Sequence, residues 1–175
     1  NIWEYNLEIS MEVKNWQKIE ELEGKHFDIG LTGVWYGANY GSVMTYYALY
    51  RTLTELGYSV LMIDKLHVMD NDWEMYPKIH SRVFAAKHYA AISPSLKAHE
   101  MKLLNQYCDA FLMGCDQVWN YAIAKNFGLN NYFDYVADDK KKLSYASSFG
   151  HDVSFTPKEM ISTVTRLFQR FDAIS

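Results

Sequence analysis

The chain has 175 residues, of which 49% are hydrophobic, 16% aromatic and 22% charged, a composition that suits one α/β domain with a substantial buried core. It argues against intrinsic disorder, collagen-like repeats and a disulfide-rich mini-protein. The net charge of −4 argues against a nucleic-acid-binding protein, because such proteins present a concentrated basic face. No apolar run approaches the roughly 20 residues of a membrane-spanning helix. Cys108 and Cys115 lack CxxC spacing, which indicates two reduced thiols.

The two ends of the chain predict its domain organisation. Residues 1–24 are expected to form a helical appendage or linker, because Trp16, Ile19 and Leu22 share one face of an amphipathic helix. Residues 25–175 are expected to form the main domain. The chain lacks an initiating methionine, and residues 171–175 resemble a strand that is beginning to pair. We therefore expect a segment of a longer polypeptide.

From residue 27 onward, apolar stretches alternate with helical ones. The predicted elements are, in chain order, a strand at 27–32, a glycine-rich loop at 33–41, a helix at 42–56, a strand at 59–63, a helix around 79–89, a helix from 93 to about 107, a strand at 109–113, a strand at 142–147 and a helix from 156. Strand–helix alternation predicts an α/β fold, with a Rossmann-like parallel sheet that carries helices on both faces.

Local signals mark the ends of several of these helices. Gly57 stands where a glycine would end the first helix. Ser93 and Pro94 are typical of a helix start, and residues 156–159 have the pattern of a capping box with proline at the first helical position. The apolar stripe of the last helix consists of Met160, Ile161, Val164, Leu167 and Phe168.

Four segments leave the carboxyl ends of predicted strands. They are residues 35–42, Asp64, residues 114–120 and residues 147–151. In open α/β sheets this edge holds the ligand, at the crevice where the strand order reverses. We therefore expect the binding site here.

The first of these loops has the spacing G-x-x-x-G-x-x-x-G at residues 33–41. This spacing matches neither the dinucleotide-binding pattern nor a P-loop. The loop precedes a helix, whose amino terminus suits a phosphate or carboxylate. Two interpretations stay open at this point, anion binding and a tight turn capped by Asn39 or Ser42.

Asp64 could contact a ribose hydroxyl, and the tyrosines of the helix, Tyr46 among them, are expected in the core.

The second loop places Asp116, Gln117 and Asn120 within five residues, with Trp119 among them. Amide and carboxylate groups beside an indole ring suit a sugar. The alternative is a polar turn in which Asp116 caps a helix and Trp119 fills the core.

His151 could be a general acid or base, since imidazole titrates near neutrality, or an exposed hydrogen-bonding residue. The other histidines lack the spacing of metal ligands, so no metal site is expected.

These loops carry a resemblance to a known family. Residues 39–41 (Asn-Tyr-Gly), the aromatic-rich helix at 44–49, residues 114–120 (Gly-Cys-Asp-Gln-Val-Trp-Asn) and residues 145–150 (Tyr-Ala-Ser-Ser-Phe-Gly) resemble the polysaccharide pyruvyl transferase family. Members show an N-Y-G turn, a G-S-D-Q-V-W-N loop and an S-Y-A-x-S-F-G strand in this order. Residues 170–175 also resemble a segment of the family, and the similarity covers about residues 26–175.

The resemblance implies a transferase that moves a pyruvyl group from phosphoenolpyruvate to a sugar hydroxyl of a bacterial cell-surface glycan or its lipid-linked precursor. It implies no cofactor, no nucleic-acid partner, no transmembrane segment and a cytoplasmic protein, either free or peripheral to the inner face of the membrane. It also implies the N-terminal half of a GT-B-like two-domain enzyme. The family's donor-binding basic residues and its catalytic histidine lie largely in the other, C-terminal domain.

Only matching positions are carried over from the family, as residues that line the cleft. They are Asn39, Tyr40, Gly41, Asp116, Gln117 and Asn120. The catalytic candidates in this chain are Asp116, as a base, and His151. Cys115 departs from the serine that the family usually has, and a thiol is the poorer hydrogen-bond partner. Two alternatives stay open: a GT-B glycosyltransferase that uses a nucleotide sugar, and a non-catalytic glycan-binding domain.

Overall fold

The sheet of this protein consists of short parallel strands. The computed structural model describes residues 14–15, 18–36, 39–65, 80–152 and 156–175. Within these ranges the strands are β1 (Lys14–Asn15), β2 (Phe27–Thr32), β3 (Val60–Met62), β4 (Ala91–Ile92), β5 (Cys108–Met113), β6 (Lys141–Ser144) and β7 (Ala173–Ile174). They form one seven-stranded sheet in the order β1-β4-β3-β2-β5-β6-β7, and each neighbouring pair is parallel.

Helices connect these strands. The α-helices of the described residues are α1 (Tyr40–Glu55), α2 (His80–His88), α3 (Tyr121–Ala124) and α4 (Lys158–Phe168). Short 3₁₀ helices lie at Ile19–Leu22, Met101–Gln106, Lys125–Phe127 and Asn130–Tyr132. None of the helices in the described ranges is both long and apolar enough to cross a bilayer.

The strand order confirms the α/β fold with a parallel sheet. From β2 the chain runs outward through β3 to β4, then returns to β5 on the other side of β2 and continues to β6 and β7. This is the strand order of Rossmann-like folds, in which the direction of winding reverses between the two central strands. In this chain the reversal falls between β2 and β5.

Side chains of the strands alternate between two cores, one on each face of the sheet. Leu61 belongs to the same core as Val164 of α4. Its neighbour Met62 belongs to the other core, with Tyr46 and Tyr50 of α1. Helices therefore cover both faces, as expected for strands that are buried on both sides.

The end of α1 agrees with the sequence prediction. Gly57 has φ +94, a left-handed conformation that favours glycine. Its N–H donates to the carbonyl of Thr54 at 3.0 Å. The helix itself begins at Tyr40, two residues before the predicted start, because Asn39 caps it.

The prediction for residues 93–107 was wrong. Residues 91–92 form β4, which the sequence analysis missed, and only a 3₁₀ helix at Met101–Gln106 follows. The Ser93 hydroxyl accepts a hydrogen bond from the Asp64 N–H at 2.9 Å and donates to the Pro94 carbonyl. Ser93 therefore stabilises the end of β3 and does not cap a helix of its own.

The amino-terminal prediction also differs from the structure. Ile19–Leu22 form one turn of 3₁₀ helix in place of the amphipathic α-helix, and Trp16 lies outside the described residues. Leu22 is fully buried in the core that includes Val164. β1, within the segment predicted to be an appendage, pairs with β4.

Three details of the last third of the chain differ from the prediction. The N-cap residue of α4 is Pro157, which makes no side-chain cap hydrogen bond, whereas the predicted capping box at 156–159 placed the N-cap at Thr156 and the proline inside the helix. Ile161, placed on the apolar stripe, is 48% exposed, whereas Val164 and Leu167 are buried. β6 ends at Ser144, three residues early, because the chain turns sharply at Ala146, which has φ +53.

Candidate functional site

The crevice of the sheet lies at the carboxyl ends of β2 and β5. These strands are paired over most of their length, with Leu31 opposite Leu112 and Thr32 opposite Met113. Gly33 and Gly114 follow them directly. The two loops predicted to bind ligand therefore start side by side at the reversal point, where open α/β sheets bind ligands.

Tyr46 fills the floor of this crevice. Its side chain is fully buried, and its hydroxyl donates to the Cys115 carbonyl at 3.1 Å and accepts from the Val34 N–H at 3.2 Å. A Cβ at Gly33 would lie 1.6 Å from the hydroxyl oxygen, and one at Gly114 would lie 2.3 Å from the ring. Burial raises the pKa of Tyr46 well above its ordinary value, so the hydroxyl stays protonated. Tyr46 is a core residue, as predicted, and it also ties the two loops together.

Backbone hydrogen bonds join the loop after β5 to the loop after β6. The Asp116 N–H donates to the Ala146 carbonyl at 3.2 Å, and the Ser148 N–H donates to the Asp116 carbonyl at 3.0 Å. The Trp119 N–H donates to the Ser148 carbonyl at 3.1 Å. Two of the predicted ligand-binding segments thus form one continuous surface.

Trp119 belongs to the core. It is 3% exposed, and its indole N–H donates to the Asn131 carbonyl at 2.9 Å. Its ring meets Phe168 edge-on, with 4.7 Å between centroids. Of the two interpretations of this residue, the structure agrees with the core residue and not with an exposed platform for a sugar.

Three polar side chains of the joined loops meet in what we call the amide–histidine cluster, which consists of Gln117, Asn120 and His151. The Asn120 Nδ2 donates to Gln117 Oε1 at 3.0 Å and lies 3.4 Å from His151 Nε2. Asn120 Oδ1 accepts from the Ala122 N–H at 3.1 Å and so caps α3. Gln117 and His151 are exposed. The cluster offers amide and imidazole groups to a polar ligand.

Asp116 stands at the edge of this cluster. It has φ +84, and its Oδ1 accepts from the Gln117 N–H at 2.8 Å. The residue is exposed. Asp116 caps the turn locally, and its side chain belongs to an exposed residue next to Gln117 of the cluster.

Asn39, Tyr40 and Gly41 lie at the start of α1. Asn39 Oδ1 accepts from the Ser42 N–H at 3.3 Å, as an N-cap residue does. The Ser42 hydroxyl donates to the Val34 carbonyl. Tyr40 is 69% exposed. The capped turn, one of the two interpretations of this loop, is therefore present, and the Tyr40 ring is open to solvent beside it.

The predicted site residues fall into two groups. Asp116 and the amide–histidine cluster follow β5 and β6, whereas Asn39, Tyr40 and Gly41 follow β2. Tyr46 bonds to both loops and lies between the groups. Because β2, β5 and β6 are parallel neighbours, both groups follow strand ends at the same edge of the sheet.

Asp64 is committed to an ion pair. It is 2% exposed, and Arg82 donates to both of its carboxylate oxygens, with the Nη2–Oδ1 distance at 2.6 Å. The Ser95 hydroxyl also donates to Asp64. The guanidinium lies over the Tyr36 ring, 4.5 Å from its centroid. These contacts occupy the Asp64 carboxylate and leave it little capacity to bind a ribose hydroxyl. Through Tyr36, the Asp64–Arg82 pair also contacts the loop after β2.

Lys65 is a buried amine that sequence reasoning missed. It is 1% exposed, its Nζ donates to Asn131 Oδ1, and it lies 4.4 Å from the Phe127 ring centroid. Burial lowers the pKa of Lys65 to about 7. Asn131 Nδ2 in turn donates to the Val118 carbonyl at 2.7 Å. Lys65 thus supports the loop after β5 from beneath.

Cys115 occupies a buried position in that loop. It is a free thiol, 5% exposed, and burial raises its pKa. Its carbonyl, not its side chain, accepts the hydrogen bond from Tyr46. The Cys115 side chain therefore lies beneath the surface of the loop.

Gly150 provides a direct test of the cluster's geometry. It has φ +74, and a Cβ there would lie 2.3 Å from Gln117 Oε1. We expect Gly150→Ala to displace Gln117 and to weaken ligand binding by the cluster, besides lowering the free energy of unfolding by about 1 kcal/mol. Gly128→Ala is the matched control, because Gly128 has φ +60 and open space around it. Urea denaturation should show similar losses of stability in the two variants. Ligand titration should show weaker binding in Gly150→Ala only. Equal binding by both variants would contradict the role of Gln117.

Within the described ranges, no three His, Cys, Asp or Glu residues group so that they could hold a metal ion. Comparisons of the chain with family models, with curated proteins and with solved structures find no match. A functional proposal for this chain therefore depends on its own residues and their geometry.

Proposed function

We propose that this chain is the N-terminal domain of a GT-B-like polysaccharide pyruvyl transferase, which moves a pyruvyl group from phosphoenolpyruvate to sugar hydroxyls. The observation that carries the proposal is the amide–histidine cluster, which stands with Asp116 at the carboxyl edge of the sheet. Its residues lie in the segments that resemble the family, and the contacts among them span 31 residues of the chain.

The reaction forms a ketal. The methylene carbon of phosphoenolpyruvate takes up one proton and becomes a methyl group. Carbon 2 forms C–O bonds to two sugar hydroxyls, and its bond to the phosphate oxygen breaks. One hydroxyl proton balances the new methyl hydrogen, and the other leaves with the phosphate. The enzyme must therefore supply a general acid, a base and groups that hold two anionic substituents.

The amide–histidine cluster suits the sugar acceptor. Amide groups offer both donors and acceptors, as sugar hydroxyls require. The exposed ring of Tyr40 supplies an apolar surface for a sugar face. The amino terminus of α1, whose first turn carries no acidic side chain, favours an anion such as the phosphate or carboxylate of the donor. The donor's basic partners are expected in the C-terminal domain.

His151 and Asp116 are the groups that can move a proton in this half of the site. When Asn120 donates its amide hydrogen to His151 Nε2, that nitrogen carries a lone pair and the ring can accept a proton. Asp116 is exposed and next to the cluster. We assign Asp116 as the base that deprotonates the attacking hydroxyl, with His151 as the second proton carrier.

Asp116→Asn tests the assignment of the base. Asparagine tolerates the positive φ of this position and keeps an acceptor for the Gln117 N–H, so the turn should survive. We expect turnover by the full-length protein to fall about 100-fold or more, with little change in the acceptor KM. Unchanged turnover would eliminate Asp116 as the base.

The reaction class is tested on the full-length protein with phosphoenolpyruvate and a panel of lipid-linked and nucleotide-linked sugars. Mass spectrometry should show one pyruvyl group added to an acceptor, together with released phosphate. Consumption of a nucleotide sugar without use of phosphoenolpyruvate would support the glycosyltransferase alternative. Sugar binding with no transfer would support the glycan-binding domain.

A further inference from the structure

A chain of hydrogen bonds runs beneath the amide–histidine cluster and starts from two buried side chains, Lys65 and Asn131, which we call the buried Lys–Asn pair. The Lys65 Nζ donates to Asn131 Oδ1. The Asn131 Nδ2 donates to the Val118 carbonyl at 2.7 Å, and the Asn131 carbonyl accepts the indole N–H of Trp119 at 2.9 Å. Because neither member of the pair reaches the surface, any effect of the pair on a ligand must pass through the residues that it holds.

These hydrogen bonds end at the two residues that separate Gln117 from Asn120 in the chain. Val118 and Trp119 are buried, whereas Gln117 is exposed and Asn120 is partly buried. The Asn120 N–H donates to the Gln117 carbonyl at 2.9 Å, which closes the turn. The turn is therefore held from below at its two middle residues, and the residues at its two ends carry the amide groups of the cluster. A displacement of the middle residues would move both amides.

The loop after β2 contacts the same segment of the chain, but not through the lysine side chain. The Tyr36 hydroxyl donates to the backbone carbonyl of Lys65. The indole N–H of Trp35 donates to the backbone carbonyl of Ile63 at 2.9 Å. A substitution of the Lys65 side chain therefore breaks the connection to the loop after β5 and keeps both of these hydrogen bonds to the loop after β2.

A lysine is an unfavourable choice for this position. Burial disfavours the charged form of the amine and lowers the pKa of Lys65 to about 7. The Nζ contacts an amide oxygen and, at 4.4 Å from its centroid, the Phe127 ring, and neither of these is a carboxylate. An apolar side chain of similar volume would avoid the cost of burying the amine. Residues that lower stability concentrate at functional sites, which favours a functional role for Lys65.

We propose that the buried Lys–Asn pair positions the amide–histidine cluster for the sugar acceptor, with Lys65 and Asn131 as positioning residues. The pair holds the backbone between Gln117 and Asn120 and so fixes where their side chains stand. Polar binding groups need this support, because a displacement of about 1 Å is enough to weaken a site. The role in acceptor binding rests on the proposed function, whereas the connection from Lys65 to the cluster does not.

Two variants break the connection at different points. Lys65→Met removes the Nζ donor and fills a similar volume. Asn131→Asp keeps an acceptor for Lys65 and removes the Nδ2 donor to the Val118 carbonyl. Lys142→Met is the matched control, because Lys142 is also buried and also donates to two backbone carbonyls, but it lies in β6 and makes neither of these contacts.

NMR spectroscopy of the ¹⁵N-labelled protein tests the connection without a ligand. Both variants of the pair should shift the side-chain amide resonances of Gln117 and Asn120 and the indole N–H resonance of Trp119, and leave the indole N–H of Trp35 in place. The lysine variant should unfold at a urea concentration no lower than that of the unsubstituted protein at pH 7, and it decides alone if the asparagine variant does not fold. Unchanged resonances of Gln117 and Asn120, or equal changes in the control variant, would overturn the connection.

Steady-state kinetics of the full-length protein test the role in acceptor binding. Lys65→Met should raise the KM for the acceptor about tenfold and leave the KM for phosphoenolpyruvate unchanged. An unchanged acceptor KM in a variant whose cluster resonances move would overturn this role. A full-length protein that transfers no pyruvyl group would overturn the proposed function instead, and the NMR comparison would still decide whether the buried Lys–Asn pair positions the cluster.

Discussion

Replacing Tyr46 by alanine is expected to lower the free energy of unfolding by about 4 to 5 kcal/mol, at the upper end of the range for buried aromatic side chains. The ring is fully buried and occupies the space that Cβ atoms at Gly33 and Gly114 would otherwise fill. Its removal leaves a cavity and frees two backbone groups, the Val34 N–H and the Cys115 carbonyl. Urea denaturation followed by circular dichroism measures the loss.

Two further variants separate the parts of this effect. Tyr46→Phe keeps the ring and removes the two hydrogen bonds, so we expect a loss of about 1 to 3 kcal/mol. Tyr47→Ala is the matched control on the same helix, because Tyr47 is only partly buried, against Phe84 and His88. A loss in Tyr46→Ala no larger than that in Tyr47→Ala would contradict the role of Tyr46 as the joint between the loops.

Lys65→Met is expected to stabilise the protein near neutral pH by about 2 kcal/mol. The pKa of Lys65 is about 7 in the folded chain, against an ordinary value of 10.5. Holding this amine in the core therefore costs up to about 5 kcal/mol at low pH. Methionine fills a similar volume without charge. It leaves Asn131 Oδ1 without the Lys65 donor, which offsets part of the gain by about 1 to 3 kcal/mol.

The pH dependence gives the sharper readout for Lys65. Between about pH 7 and 10.5 the unfolded chain binds the proton that the folded chain has released, so the contribution of Lys65 to stability rises with pH in this window. Below pH 7 both states are protonated and the cost is constant. The advantage of Lys65→Met should therefore be largest at and below neutral pH and disappear towards pH 10.5.

Lys142→Met serves as the control for a buried lysine. The Lys142 Nζ donates to the carbonyls of Ala137 and Lys140 at 2.7 and 2.9 Å. Its removal leaves both carbonyls without this donor and should lower stability by about 2 kcal/mol. If Lys65→Met lowered stability as much as Lys142→Met at every pH, the account of Lys65 as a costly buried charge would be wrong.

The parts of the fold that were predictable from the sequence are those with a strong local pattern. β2 has the predicted bounds because Phe27, Ile29 and Leu31 give its six residues the alternating apolar pattern of a strand. β4 was missed because it has only two residues, Ala91–Ile92, and because Ser93 and Pro94 after it resemble a helix start. The Ser93 hydroxyl accepts a hydrogen bond from the Asp64 N–H, two residues after β3, a contact across 29 residues that no local pattern shows.

The candidate site was also predictable only in part. Its position was predictable, because parallel strands bring their carboxyl ends to one edge. Its supporting contacts were not. Lys65 meets Asn131 across 66 residues, and Arg82 meets Asp64 across 18. Only the packing of separate elements creates these pairs. The sequence signal that could have pointed to Lys65 is its position three residues after the buried strand β3.

The most direct test of the proposed function is the reaction of the full-length protein with phosphoenolpyruvate and an acceptor sugar in D₂O. Mass spectrometry and proton NMR of the product should show a pyruvyl ketal whose methyl group carries one deuterium, with one phosphate released per ketal. This result would establish protonation of the enol carbon and transfer to the sugar. Phosphate release without a ketal, or a product that keeps the methylene group, would contradict the proposal.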